Sequence, residues 1–239
     1  DLLKKNKEFK VINAALGGSR IEENIAILKK LLQDKHDIKN LILISVYNNR
    51  TYGGYKKNNY INNLKKYLQA KSLAFYILNH KITKLVAGYD YGFGKEKEWL
   101  YDKSKHIKRK DETKIMYQEF YNICKKNNIN IIIATMPFNI PYSIIELRNY
   151  RNIDERNKIE KKIDSNKKIS PSEILYYEMY DFNEIARDFA IKNKISLIES
   201  VDLFSNSNNE DYFIDMTHLN NLGHFKYHQF IKEKLKKFL

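Results

Sequence analysis

One cysteine, Cys124, is present among 239 residues. An intramolecular disulfide is therefore excluded, as is a zinc site built from cysteines. Proline and glycine are scarce too, at three and eight residues. That scarcity disfavours a turn-rich all-β fold. No apolar run is long enough to cross a bilayer as a helix. No signal-peptide pattern opens the sequence, and no repeat period points to a solenoid. The chain begins at Asp1, not Met, so the missing leader does not decide the compartment. Cell envelope and cytoplasm both stay open.

What is present describes a globular protein. Hydrophobic residues make up 43%, aromatics 13% and charged residues 30%. That balance is neither disordered nor fibrous, and the length suits one domain over 1–239. The net charge is +14, from 43 Lys+Arg against 29 Asp+Glu. Such a balance invites a nucleic-acid reading. Most of the cations are Lys, however, spread along the chain among Asn, Ile and Tyr. Runs such as Lys161-Lys162 and Lys236-Lys237 read as solvated faces, and specific nucleic-acid binding is not expected.

The hydrophobic pattern alternates between strand and helix. Segment 9–16 reads as a short strand, 17–19 as a turn. Ile21, Ile25, Leu28 and Leu32 recur at helical spacing over 21–33. The runs 41–47 and 129–135 are continuous and β-branched, as in strands buried on both faces. Further helices are expected over 60–78, 113–127, 172–192 and 223–238, with a short strand at 195–199. Ser170-Pro171-Ser172-Glu173 has the form of a helix start. Alternating elements of this kind imply an α/β fold with a parallel sheet covered on both sides. Sites in such sheets lie beyond the carboxyl ends of strands. Two stretches, 87–110 and 139–170, lack clear periodicity and read either as lids or as plain surface loops.

The densest chemical signal is Asp215-Met216-Thr217-His218-Leu219-Asn220-Asn221-Leu222-Gly223-His224. A carboxylate three residues before a histidine can fix the imidazole tautomer and leave the other ring nitrogen as a general base. His224 and His228 share a helix face, but the zinc-peptidase pattern is absent, so they read as surface or packing residues. The glycine-rich 88–94 lacks the Lys-Ser/Thr of a phosphate loop and reads as an aromatic loop. Cys124 reads as buried and inert, and Asp202 as structural.

The stretch 213–224 resembles the last block of the SGNH, or GDSL-type, hydrolases, which carries a catalytic Asp and His. Val11–Ser19 is similar to that family's second block, whose Gly backbone N–H helps form an oxyanion hole. Gly18 is the matching residue. Leu41–Arg50 resembles the third block, whose Asn is an oxyanion donor. It aligns with Asn49, with Asn48 as the alternative. Segments 131–137 and 195–204 fit the later strands. The resemblance implies a flavodoxin-like three-layer α/β/α sandwich with strand order 2-1-3-4-5. It implies ester hydrolysis or acyl transfer on a small O-acyl group of a carbohydrate or lipid. His218 would act as base and Asp215 would orient it, with no cofactor or metal. A non-catalytic module on the same fold, binding glycans or anionic polymers, is the other reading.

Two departures from the pattern bear on these expectations. Tyr47 and Arg50 stand where the third block usually has Gly and Asp. The Gly-Asp-Ser block, with the nucleophile and the first strand, has no counterpart in 1–239. Ser19 follows Gly17-Gly18, but its surroundings fit the second block better. The resemblance therefore implies a longer native chain, with the nucleophile upstream of Asp1.

Overall fold

The structure, a computed structural model, describes residues 20–44, 49, 98, 100–139, 151–201, 203–204, 212–214 and 217–238. Its elements run α1 (Ile21–Gln33), β1 (Asn40–Leu43), α2 (Lys103–Lys126), β2 (Asn130–Ala134), α3 (Ile153–Asp164), α4 (Pro171–Lys192), β3 (Ser196–Ile198) and α5 (Asn221–Leu235). The strand expected over 9–16, the turn 17–19, the helix over 60–78, the loop 88–94 and Asp202 lie outside the described residues.

The three described strands form one parallel sheet in the order β1-β2-β3. Leu41 lies opposite Ile131 and Leu43 opposite Ile133. Ile133 in turn pairs with Leu197. The fold is thus α/β, as the alternating pattern implies.

Strand β2 shows why its sequence has no polar alternation. Ile131 and Ile133 face a large core supplied by α1, α2, α3 and α4. Ile132 and Ala134 face a second core with Ile198, closed by Leu235, Phe230 and Ile231 of α5. Helices therefore cover both faces of β2, which is compatible with a three-layer sandwich. Strand β1 corrects the expectation of burial on both faces. Leu43 is 4% exposed, but Ile42 is 38% exposed. Helix α5 seals β2 and β3, and its core includes no β1 residue.

Helix boundaries follow local chemistry. The Ser170 hydroxyl accepts Glu173 N–H at 3.1 Å, and the Glu173 carboxylate accepts Ser170 N–H at 2.8 Å. This capping box satisfies two donors that the first turn of α4 leaves over. At the other ends, α1, α2, α3 and α4 each stop at a left-handed residue: Lys35, Asn128, Asn166 and Lys194, with φ of 60°, 54°, 52° and 55°. The N–H two residues past each cap then reaches back to a helix carbonyl, as in Ile129 to Cys124 at 2.9 Å and Ile195 to Ala190 at 2.8 Å. These are Schellman closures, and the last two lead directly into β2 and β3. Asn and Lys fill a position that usually takes glycine, so helix stops here do not require the glycines the chain lacks.

Two segments differ from their reading as aperiodic. Helix α2 begins at Lys103, inside 87–110, and α3 occupies Ile153–Asp164, inside 139–170. The buried face of α2 carries His106, Arg109 and Thr113 before Tyr117, Phe120 and Cys124. The buried face of α3 is Arg156, Ile159 and Ile163. Charged and polar residues stand where an apolar stripe would begin, and hydrophobic periodicity does not register them.

Candidate functional site

The block that carries His218 is a tight turn closed against the start of α5. Phe213 and Leu219 form an isolated antiparallel bridge. Ile214 N–H donates to the His218 carbonyl at 2.7 Å, and Asn220 N–H donates to the Tyr212 carbonyl at 2.9 Å. The Asn220 side chain caps α5 by accepting Gly223 N–H at 2.9 Å. A Cβ on Gly223 would lie 2.1 Å from the Tyr212 carbonyl oxygen. Only glycine admits so close a backbone approach. The Leu-Asn-x-x-Gly pattern thus has a plain cause: Asn starts the helix and Gly lets the turn lie against it.

This turn sits on the segment that follows β3. Phe204, fully buried, meets the Tyr212 and Phe213 rings at centroid distances of 5.1 and 5.2 Å. Lys226 of α5 lies over the Tyr212 ring at 4.2 Å. His218 itself is exposed, and its Nδ1 lies 3.4 Å from the Thr217 hydroxyl. An accessible imidazole is thereby held on the carboxyl-end side of β3.

Asn49 is fully buried. Its Oδ1 accepts Ile21 N–H, the first of α1, at 3.0 Å. Its backbone carbonyl accepts Arg109 Nε at 3.0 Å. Arg109 also grips Glu22 with both terminal nitrogens, at 2.5 and 2.9 Å. The hydrogen bond from Arg109 holds the Glu22 carboxyl below its ordinary range, against an opposing push from burial. Asn49 is thus fixed at the N-terminus of α1, whose first residue lies three positions after Gly18. Of the expected site residues, Asn49 and His218 fall within the described residues, each anchored to its own part of the fold. Gly18, Asp215, the alternative Asn48 and the weighed Ser19 lie outside them.

The carboxyl ends of β2 and β3 are tied together. The Thr135 hydroxyl accepts the N–H groups of Ser200 and Val201 at 2.9 and 3.1 Å and lies 3.2 Å from a Glu199 carboxylate oxygen. Arg187 forks onto the same Glu199 at 2.5 and 2.9 Å. The Asn183 side chain clamps Met136, accepting its N–H at 2.8 Å and donating to its carbonyl at 3.1 Å. Asn139, a little further on, is 1% exposed, and neither polar atom of its side chain has a hydrogen-bond partner. Its sequence signal was its place just past Pro137 at a strand end.

A second polar cluster, unforeseen in the sequence, joins α2, α3 and α4. Asp181 meets His106 Nε2 at 2.8 Å, Lys110 at 2.7 Å, and Arg156 at 2.9 and 3.0 Å. Burial alone would raise the Asp181 carboxyl. Hydrogen bonds from His106, Arg156 and Lys110 outweigh burial and hold it well below the usual range. The Arg156 guanidinium also lies 4.7 Å from the Tyr177 ring centroid. Each charge has an opposite neighbour, which identifies the cluster as internal bracing.

Cys124 is fully buried, and burial pushes its thiol up to about 12, so it is inert as expected. His224 and His228 are exposed on α5. Among the described residues no group of three or more His, Cys, Asp or Glu could hold a metal ion. No described helix is long and apolar enough to cross a membrane. No model of a known protein family matches the chain, and no curated protein matches it.

Proposed function

We propose that the protein is an ester hydrolase or acyltransferase of the SGNH type, acting on a small O-acyl group of a carbohydrate or lipid. The observation that carries this reading is the exposed His218. It stands on a turn shaped by Gly223 and Asn220 and seated beyond the carboxyl end of β3. That is the side of a parallel sheet where ligands bind. The β1-β2-β3 order matches the 3-4-5 half of a 2-1-3-4-5 sheet.

In this mechanism a serine attacks the ester carbonyl, and His218 takes the hydroxyl proton and later returns one to the leaving alcohol. Asp215 orients the imidazole. The charge that develops on the carbonyl oxygen is met by Gly18 N–H and the Asn49 amide. The Asn49 amide is held at the start of α1 by its Oδ1, which accepts Ile21 N–H at 3.0 Å. In the SGNH family that this chain resembles, the serine lies in a Gly-Asp-Ser block.

Turnover of p-nitrophenyl acetate and of acetylated sugars tests this reading. The protein as its source makes it should hydrolyse at least one of them. His218→Ala should abolish turnover and leave the melting temperature unchanged. Equal turnover in the variant would remove His218 from the chemistry.

A non-catalytic glycan-binding module on the same fold is the second reading. The tie of Asn49 to α1 and Arg109 favours it, because that tie would hold the residue in place without any chemistry. It predicts glycan binding with no turnover.

A further inference from the structure

We infer that the His218 turn and the outer face of α5 dock on an anionic lipid bilayer. Ile214, Leu222 and Phe225 enter the acyl region, and Lys232 and Lys236 lie at the headgroup phosphates. This binding goes beyond the ester-hydrolase reading and does not depend on it.

Large apolar side chains stand in the open around the turn. Ile214 is 68% exposed, Leu222 54% and Phe225 58%. Single exposed apolar residues are ordinary on a surface, but several in one place mark an interaction site. The backbone gathers these three. Ile214 N–H donates to the His218 carbonyl, so Ile214 stands across the turn from His218. Asn220 caps α5 directly after the turn, and Leu222 and Phe225 follow at the start of that helix. Phe230, Ile231 and Leu235 supply the side of α5 that closes the core over β2 and β3, and neither Leu222 nor Phe225 joins that core.

The outer face of α5 has a regular pattern. Leu222, Phe225, Gln229, Lys232 and Lys236 follow one another at alternating spacings of three and four, so they share one face. All five are exposed, and Lys236 keeps helical backbone angles at the cap. The face is apolar at the end beside His218 and cationic at the other. Lys236 pairs with Glu233 at 2.8 Å, but from Asn221 to Leu239 the chain holds five lysines against that one acidic residue.

This combination selects the partner. Apolar side chains next to lysines match the acyl region and phosphate layer of an anionic bilayer, with the helix lying in the plane of the interface. A second copy of the chain fits poorly. A twofold contact through this face would bury lysines from both copies, between chains that each carry +14. A nucleic acid would use the lysines and leave the aliphatic Ile214 and Leu222 without a role.

The test is vesicle flotation of the protein as its source makes it. One set of vesicles is phosphatidylcholine alone, the other equal parts phosphatidylcholine and phosphatidylglycerol. The parent is compared with a triple variant, Ile214→Ser, Leu222→Ser and Phe225→Ser, and a double variant, Lys232→Gln and Lys236→Gln. The parent should bind the anionic vesicles about tenfold or more tightly than the neutral ones. Each variant should lose about tenfold or more of that affinity at an unchanged melting temperature. No binding by the parent, equal binding to both vesicles, or parental affinity in either variant would overturn the inference. Loss in the lysine variant alone would reduce the face to a general anion contact. Dimerisation of the parent that the triple variant abolishes, without vesicle binding, would assign the face to a second copy and overturn the inference as well. A second measurement does not depend on how the serine variant folds. Cys124 is buried and is the chain's one cysteine, so an environment-sensitive dye on Phe225→Cys reports position 225. Its emission should shift to the blue on anionic vesicles, and no shift would overturn the inference. Turnover is read in none of these arms, so the ester-hydrolase reading stands or falls separately.

Discussion

Asn49 and Ile21 are joined across the fold: the buried Asn49 Oδ1 accepts the first N–H of α1 at 3.0 Å. The bond places an amide at the helix end next to the segment that carries Gly18. It also separates two roles of one side chain. Asn49→Asp keeps the acceptor oxygen and loses the donor. Its fold should survive, while turnover should fall by about 10²–10³, the usual loss for one oxyanion donor. Asn49→Ala loses both roles and should also cost about 1–3 kcal/mol of stability, because Ile21 N–H is left unpaired. Rates and urea midpoints on the two variants check this. Full activity in Asn49→Asp would remove the residue from the oxyanion site.

Gly223→Ala should disturb the His218 turn. The new Cβ would meet the Tyr212 carbonyl oxygen at 2.1 Å, so the turn must shift away from α5. Overpacking of this kind costs about 1–3 kcal/mol. Turnover should fall together with stability. Asn220→Ala removes the side-chain cap on Gly223 N–H and should cost about 1 kcal/mol. Thermal melts and rates on the pair separate displacement of the turn from simple loss of helix stability.

Asp181→Asn should be far more damaging, at about 3–5 kcal/mol, because it removes the charge that buried Arg156, buried His106 and half-buried Lys110 share. The same carboxylate governs acid stability. Its pKa is depressed in the folded state, so its contribution is complete above the unfolded value of about 3.9. The contribution is lost as pH falls below that value toward the folded one. Glu22 and Glu160 are depressed as well and act in the same direction. Urea unfolding from pH 6 down to pH 2.5 should show stability falling below about pH 4, with a shallower decline in Asp181→Asn.

Lys194→Gly should stabilise the protein. Lys194 closes α4 at φ 55°, a conformation that costs an ordinary residue about 1 kcal/mol. Ile195 N–H would still reach Ala190. A gain of about 0.5–1 kcal/mol in urea unfolding is expected, and a loss would contradict the helix-end geometry.

Helix α1 was legible because its buried residues, Ile21, Ile25 and Leu28, are all apolar at helical spacing. Helix α4 was legible from Ser170 and Glu173, which cap it as their order suggests. The start of α2 and all of α3 were hidden for one reason. Their inward faces carry His106, Arg109 and Arg156, and the partners that make burial tolerable, Asp181 and Glu22, lie far away in sequence. Hydrophobic periodicity sees one helix at a time and cannot register such pairs. The site was partly legible for the same kind of reason. The Leu-Asn-x-x-Gly run after His218 is a local turn and reads locally. The isolation of Asn139 is a property of its surroundings, and nothing in the residues beside it announces that.

The most direct test of the central claim is labelling by a fluorophosphonate probe, which reacts with an activated serine. It is applied to the protein as its source makes it and to His218→Ala, with circular dichroism on both. The parent protein should be labelled covalently, and the folded variant should lose the label. No labelling of the parent, or equal labelling of both, would contradict it.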